Sequence, residues 1–381
     1  MKKYIILQNL IAPYRTYLFN ELSKRNFNFE IFYMSETEAD RNWKTDFSTL
    51  KYSYWIDKKG LYWFIKGFHI HINPLLIWKI IKEKRCDIIL SVSWNNLNII
   101  VLALFKKTGI LKNTIHFWTE ANYMTIGASN DNKFKYFLRK FVYSSVDGFF
   151  ILPGKMAEDT LKRWNIKVKK LLFLPNMIEE ENFTLIDSDF EKRKNNLLPI
   201  CILPVRLIEK IKGVMNFFEA ITADNILKSV FFIVGDGCDK SMYEKYIDEN
   251  NYNNNIKLLG FCDLEKLNHL YAQANLFILP SFSDPSPLAL IEAIRMKLPL
   301  LISNRCGNHF EALVENGNGY SFDPYNKKSI RTAFEKMFYN KNRWTDFSER
   351  SGKLYHQNFD LDSTLNRFLN NLLENGNGNG N

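Results

Sequence analysis

Short apolar runs recur along the chain, and between them the apolar positions switch to helical spacing. Tyr4–Leu7, Phe29–Tyr33, Asp87–Val92, a run ending at Trp118, Gly148–Leu152 and Lys170–Leu174 predict strands. The stretches 12–25, 74–84, 96–107, 133–145 and 155–164 predict the intervening helices. Residues 36–60 are polar and aromatic, with Trp43 and Trp55, and are expected to form a loop. After residue 198 the alternation resumes. Ile200–Val205, Phe231–Val234, Ile256–Leu259, Leu276–Leu279, Leu298–Ile302 and a short run near Tyr320–Phe322 predict strands. Val214–Ala220, Ser241–Glu249, Leu264–Gln273, 327–340 and 359–374 predict helices. Strand–helix alternation of this kind predicts α/β domains with parallel sheets covered on both faces.

Residues 177–198 interrupt the pattern, because they are charged and lack a sustained apolar face. The expected organisation is a first domain at 1–178, a linker at 179–198 and a second domain at 199–340. Closing helices follow at 341–374, and the tail NGNGNGN at 375–381 is expected to be disordered.

Composition adds class and compartment. At 381 residues, with 46% apolar and 24% charged positions, the chain suits two soluble globular domains. Its charge is uneven. Residues 1–180 hold 28 Lys/Arg against 16 Asp/Glu, a net of +12, and the remainder holds 23 against 25, a net of −2. A basic first half suits an anionic membrane face, a phosphorylated substrate or nucleic acid, and charge alone equally describes a solvated lysine-rich surface. The start, MKKYIILQNLIAPYR, has a basic opening, but its apolar run is short and broken by Gln8 and Asn9. A first strand is expected there, not a signal peptide. No apolar window reaches membrane-spanning length; residues 86–105 come nearest and are broken by Asp87, Asn95, Asn96 and Asn98. The five cysteines are scattered without metal-ligand or redox spacing, which suits a reducing compartment.

Residues 276–304 concentrate the candidate chemistry. They read strand, loop, helix, strand, with Asp284 in the loop and Glu292 on the helix. Ser286 before Pro287 suggests an N-cap followed by proline at the first helical position. A helix N-terminus at the carboxyl end of a parallel strand is an anion site. The ends of the other strands deliver Arg206 with Lys210 and Lys212 behind it, Gly235, Gly260, and Ser303 with Asn304. Cations and amides suit a diphosphate, and a carboxylate suits ribose hydroxyls. Glu292 is the candidate for the ribose and Asp284 for a sugar. Glu292 stands among Leu288, Ala289, Ile291 and Ala293, where a lone acid needs a reason. Asp187-Ser188-Asp189 has a metal-type spacing but lies outside any strand end, and no metal site is expected. His116, inside an apolar strand, reads as a satisfied core histidine.

These residues resemble glycosyltransferase family 4. The family's acid, seven residues and glutamate read here Asp284-PSPLALI-Glu292. The resemblance extends over RLIEKIKG at 206–213, FIVGDG at 232–237, LLG at 258–260, ANLFILPS at 274–281 and GNHFEALVENGNGY at 307–320. Pro175-Asn176 matches the end of the family's first domain, and APYRTYLFNEL at 12–22 looks like a first loop of one branch. The resemblance implies a GT-B fold of two facing Rossmann-like domains, with a C-terminal helix returning toward the first. It implies a retaining, metal-independent hexosyltransferase with no cofactor, whose donor is a nucleotide diphosphate sugar. Arg206 and Lys212 would hold the diphosphate and Asp284 would lie near the transferred sugar. Ser286, the amides near Leu288, Gly235, Gly260 and Phe261 would complete donor binding, with Glu292 on the ribose.

The sequence departs from the family at several points. Asp284 is one methylene shorter than the usual glutamate, and Pro287 removes one amide. The Arg-to-Lys interval is one residue longer, which leaves Lys210 and Lys212 as alternatives. Ile11-Ala12-Pro13 replaces paired glycines. Where an N-domain histidine is common, the chain has Ser93-Trp94 and Trp118-Thr119-Glu120. Arg15 and Glu120 are the candidates for acceptor contact. The resemblance places the acceptor, a glycan that is lipid-diphosphate-linked, on the basic half. The enzyme would serve bacterial polysaccharide, capsule or lipopolysaccharide synthesis in the cytoplasm or on the inner membrane face. The helix at 133–143, KFKYFLRKFVY, interleaves lysines and aromatics and suits peripheral contact with an anionic bilayer or, equally, packing on its own sheet. A sugar-nucleotide epimerase of the same fold and a non-catalytic sugar-nucleotide-binding scaffold are the alternatives; nucleic-acid binding has only charge behind it.

Overall fold

The computed structural model describes residues 2–39, 46–65, 68–125 and 132–374. Trp43 and the tail 375–381 lie outside them. The described residues form two units. One holds residues up to 123, 132–177 and 362–374; the other holds 124–125 and 178–361.

In the first unit β1 (Lys3–Gln8) is an inner strand, and Ile5, Ile6 and Leu7 are buried together rather than alternately. That is the pattern of a strand covered on both faces. It pairs in parallel with β2 (Phe29–Tyr33) and β6 (Cys86–Leu90), placing Ile5 opposite Glu30 and Ile88. With β3 (Ser53–Ile56), β7 (Ile115–Trp118), β8 (Phe150–Leu152) and β9 (Leu171–Phe173) the seven-stranded order is β3-β2-β1-β6-β7-β8-β9, all parallel. A separate antiparallel hairpin, β4 (Leu61–Ile65) and β5 (Phe68–Ile72), leads into the helix Pro74–Lys82. The C-terminal helix Leu361–Leu373 returns to this unit: Asp362 pairs with Arg25, and Lys170 Nζ donates to the Asn371 carbonyl at 3.3 Å.

The second unit is built on β10 (Ile200–Pro204), β11 (Val230–Val234), β12 (Ile256–Gly260), β13 (Leu276–Leu279), β14 (Leu300–Ser303) and β15 (Gly319–Phe322). Their order is β12-β11-β10-β13-β14-β15, again all parallel. Ile202 on β10 stands between Phe232 and Phe277, and Ile202 and Phe277 are fully buried. Each such side chain contributes about 1.5–3 kcal/mol. In both units the strand order reverses beside the first strand, between β1 and β6 and between β10 and β13. Ligands of open parallel sheets bind at that crevice, beyond the carboxyl ends.

Three stretches differ from the expectation. The stretch 36–60 contains β3, whose Trp55 pairs with Phe32. The region after residue 340 includes the long helix Trp344–Asn358, with Phe347 and Tyr355 in the core of the second unit. The charged stretch 179–198 contains the helix Asp187–Lys194, docked on that unit. Its Arg193 is buried and donates to the carbonyls of Ala272 at 2.9 Å, Tyr271 at 2.8 Å and Met296 at 3.1 Å. Those carbonyls end two helices, where a cation is favoured. Burial still lowers the Arg193 pKa to about 10. A charge directed inward onto helix ends has no apolar signature, so the segment resembles a linker in sequence.

Candidate functional site

The carboxyl edge of the second sheet brings Arg206, Lys212 and Asp284 together. Arg206 follows β10 and is exposed, and its guanidinium has no ion-pair or hydrogen-bond partner among the described residues. The short helix Glu209–Lys212 then ends at Gly213, whose φ of +62° and approach to the Pro280 carbonyl exclude a side chain: a Cβ there would lie 2.8 Å from that oxygen. The close approach joins the loops after β10 and β13. Phe282 and Ser283 donate their amides to the Ile211 carbonyl, at 2.8 and 3.2 Å. Lys212 Nζ is thereby held 2.5 Å from Asp284 Oδ2. Lys210 is exposed and unpaired among the described residues, so Lys212 is the lysine that turns to the acid. Glu209 is spent on structure: its carboxylate accepts the amides of Met215 and Asn216 and the Tyr243 hydroxyl at 2.6 Å.

The helix beyond Asp284 runs Leu288–Arg295. Pro287, with φ −64° and ψ 122°, is its N-cap, so Ser286 lies one residue too far out to cap it, contrary to expectation. No side chain caps the first turn. Its free amides and partial positive charge remain available to an anion. Glu292 is half-buried, and its carboxylate accepts the Tyr271 hydroxyl at 2.8 Å. Burial pushes its pKa up to about 7, against the opposing pull of that hydrogen bond. Tyr271 had no sequence signal: its position in the helix Leu264–Gln273 reads as an ordinary core aromatic, and it is fully buried.

Gly235 ends β11 at φ +133°, and a Cβ there would lie 2.1 Å from the Val205 carbonyl. Its amide donates to the Gly260 carbonyl at 2.8 Å. Gly235 thus keeps the strand ends close, and Gly260 at φ +68° faces open space. Phe261 beside it is 84% exposed.

At the carboxyl edge of the first sheet the candidate residues pair with one another. Arg15 opens the helix Pro13–Lys24 after β1, is buried, and donates through Nη2 to Glu120 Oε1 at 2.9 Å. Its guanidinium lies 4.2 Å from the Trp118 ring centre. Asn176, beyond β9, donates to the same carboxylate oxygen at 3.3 Å. Arg15 Nη1 is buried without a partner. His116 is engaged at both nitrogens: Nδ1 accepts the Phe149 amide at 3.0 Å, and Nε2 lies 2.7 Å from Asp87 Oδ2. Burial lowers its pKa, so the neutral form donates to Asp87. The helix Lys133–Tyr143 buries Arg139, Val142 and Tyr143, and leaves Phe134 and Phe137 each 74% exposed. Asp189 of the metal-type triplet accepts the Ile186 amide at 3.2 Å. Among the described residues no group of three or more His, Cys, Asp or Glu is arranged to hold a metal ion, and no helix is long and apolar enough to cross a membrane.

Residues 186–353 match the model of the glycosyl transferases group 1. The chain is 30% identical over 134 residues to an alpha-monoglucosyldiacylglycerol synthase of Acholeplasma laidlawii, covering 35% of this chain and 33% of that one. It is 28% identical over 174 residues to the UDP-Gal:alpha-D-GlcNAc-diphosphoundecaprenol alpha-1,3-galactosyltransferase of Escherichia coli, covering 43% and 44%. The chain thus spans less than half the length of these curated relatives. A crystal structure of HepE from Anabaena in complex with UDP superposes with a TM-score of 0.73 at 12% identity, covering 98% of this chain and all of that one. Residues 186–353 therefore resemble a group 1 glycosyl transferase domain, and the two parallel sheets with the full-length superposition show the GT-B fold.

Proposed function

We propose that the chain moves a sugar, with retention of configuration, from a nucleotide diphosphate sugar to a lipid-linked glycan acceptor in bacterial surface-glycan synthesis. The observation that carries this is the meeting of Arg206, the Lys212–Asp284 pair and the uncapped helix Leu288–Arg295 at the β10/β13 reversal. Cations and free amides suit a diphosphate there, and Glu292 suits the ribose. Gly235, Gly260, Phe261 and Ser286 border the same edge. The HepE complex with UDP and the Escherichia coli relative named for UDP-galactose point to a uridine donor.

In the proposed reaction the bond between the sugar C1 and the diphosphate oxygen breaks as the acceptor oxygen bonds to C1 on the same face. The acceptor's proton passes to the departing diphosphate. Arg206 and Lys212 stabilise the charge that develops there, the role a metal fills in other transferases, and Asp284 orients Lys212 beside the sugar. Arg15 and Glu120 are assigned to the acceptor side. The names of the two curated relatives contain diacylglycerol and diphosphoundecaprenol, which favours a lipid-borne acceptor. The exposed Phe134 and Phe137 between lysines favour contact of the helix Lys133–Tyr143 with an anionic inner-membrane surface.

A panel of nucleotides and nucleotide sugars tests the donor assignment by thermal stabilisation and by slow hydrolysis. A bound ligand at a hundred times its dissociation constant adds about 2.7 kcal/mol. Absence of a shift with every uridine, guanosine and adenosine diphosphate compound would refute the donor site. Unchanged hydrolysis in EDTA is expected.

A further inference from the structure

The hairpin of the first unit has one face of a single chemical kind. Its register pairs Leu61 with Ile72, Trp63 with Ile70 and Ile65 with Phe68. Side chains alternate across a strand, so these six apolar residues share one face. Leu61 is 53% exposed, Trp63 44%, Ile65 51% and Phe68 67%. Scattered exposed apolar residues are ordinary, but a contiguous face of six is not.

The opposite face fixes the hairpin to its unit. His71 Nε2 lies 3.0 Å from Glu38 Oε1, and Asn9 Nδ2 donates to the same oxygen at 2.7 Å. The Tyr62 hydroxyl bonds His69 Nδ1 at 2.9 Å and accepts the Ala39 amide at 2.9 Å. An isolated two-stranded hairpin is marginal in water. Here polar bonds of Tyr62, His69 and His71 on one side keep it in place, with Phe64 of that side also exposed, and the other side is left largely uncovered.

Charge identifies the occupant. Among the described residues of 58–85, Lys58, Lys59, Lys79, Lys82, Lys84 and Arg85 stand against one acid, Glu83. The helix Pro74–Lys82, which follows the hairpin after Asn73, leaves Leu75 and Trp78 exposed, with Lys82 Nζ 3.9 Å from the Trp78 ring centre. Exposed aromatic and aliphatic residues in a stretch rich in cations match the interface of an anionic bilayer, where rings sit at headgroup depth and lysines reach phosphates. We propose that the Leu61–Ile72 hairpin is a membrane-docking element that lays its apolar face into an anionic lipid surface. This assignment is independent of the donor chemistry and involves an element other than the helix Lys133–Tyr143.

The test is co-sedimentation of the full chain with vesicles of phosphatidylglycerol and phosphatidylcholine, compared with phosphatidylcholine alone. Binding to the anionic vesicles is expected, and the double variant Trp63→Ser/Phe68→Ser should weaken it roughly tenfold or more, each tenfold being 1.4 kcal/mol. Both positions are exposed, so melting temperature and nucleotide-induced stabilisation should hold in the variant. Quenching of Trp63 by bromine-labelled lipid, lost in Trp63→Phe, would place the face in the bilayer. Three outcomes would overturn the proposal: no vesicle binding by the parent chain; binding untouched by the double variant but abolished by replacing Lys133, Lys135 and Lys140; or a dimer in light scattering that the double variant converts to monomer. Nucleotide stabilisation measured on the same samples keeps this result separate from failure of the donor site.

Discussion

The two sheets share a strand order but differ at their carboxyl edges. At the β10/β13 edge the Arg206 guanidinium is exposed and without a partner among the described residues, and the helix Leu288–Arg295 starts without a side-chain cap. Only Lys212 is paired, with Asp284. At the edge of the first sheet Arg15 is buried against Glu120 and Trp118, and Asn176 shares the carboxylate. One edge retains uncompensated positive potential. The other has a cation and an acid that neutralise each other. The same architecture can therefore present one edge with open positive charge and one whose charges are paired, the difference on which the proposed donor and acceptor sides rest.

The sharpest way to break this comparison is to remove the uncompensated charge. Arg206→Ala should lower turnover by about 100- to 1000-fold, the scale of losing one preorganised group that stabilises developing charge. Its melting temperature should stay near that of the parent, because the side chain is exposed. Lys212→Ala should lose comparable activity. Steady-state donor consumption against thermal melts separates the effects, and a variant that unfolds early with normal turnover would contradict the assignment. Next in size is a structural effect. Arg193→Met removes the donors to three buried carbonyls and should cost about 3 kcal/mol in denaturant unfolding. Arg206→Ala should show no such loss.

Glu292 supplies the pH prediction. Its pKa, raised by burial to about 7, lies above the ordinary 4.5. The folded protein therefore holds a proton that the unfolded chain releases. In the ligand-free protein the associated stability is full below about pH 4.5 and is lost as pH rises through about 7. Ribose hydroxyls donate to the ionised form, so nucleotide affinity should run the other way, rising with pH through about 7. Glu292→Gln should flatten both curves and weaken nucleotide binding roughly tenfold at alkaline pH, a loss typical of one hydrogen bond to a charged group. Calorimetric titration with the nucleotide across pH checks the sign. Tyr271→Phe removes the hydrogen bond that favours the carboxylate, so the midpoint of the affinity curve should move to higher pH.

Strands were legible wherever they were continuous apolar runs: the ends of β10 and β13 pointed to Arg206 and Asp284 before any geometry was available. The hairpin was not: Phe68-His69-Ile70-His71-Ile72 alternates strictly, but the stretch between the expected loop at 36–60 and the helix at 74–84 carries no expected element. Which of Lys210 and Lys212 turns to Asp284 depends on where Gly213 turns the chain, which spacing does not encode. Tyr271 and Arg193 were invisible for a related reason. One is an aromatic whose hydroxyl alone matters to Glu292, and the other is a charge whose partners are backbone carbonyls. Local patterns report which face is buried, not which polar atoms meet inside it.

The smallest predicted effect sharpens the comparison from the side of the paired edge. If Arg15 and Glu120 serve the acceptor, Glu120→Gln keeps the shape, removes the charge and leaves Arg15 without its counterion. An Arg15 that is buried and already has one nitrogen without a partner pays for this in local order. A fewfold rise in acceptor KM is expected, within the range of about 1 kcal/mol for one partly exposed pair, since Glu120 keeps 30% of its side chain accessible. Donor hydrolysis without acceptor should not change, because no donor contact is altered. The double variant Arg15→Met/Glu120→Gln removes both charges and should recover part of the loss if the single variant acts through the stranded guanidinium. If it instead compounds the rise in acceptor KM, Arg15 contacts the acceptor directly. An equal fall in donor hydrolysis in either variant would mean that the two edges are not divided between donor and acceptor at all.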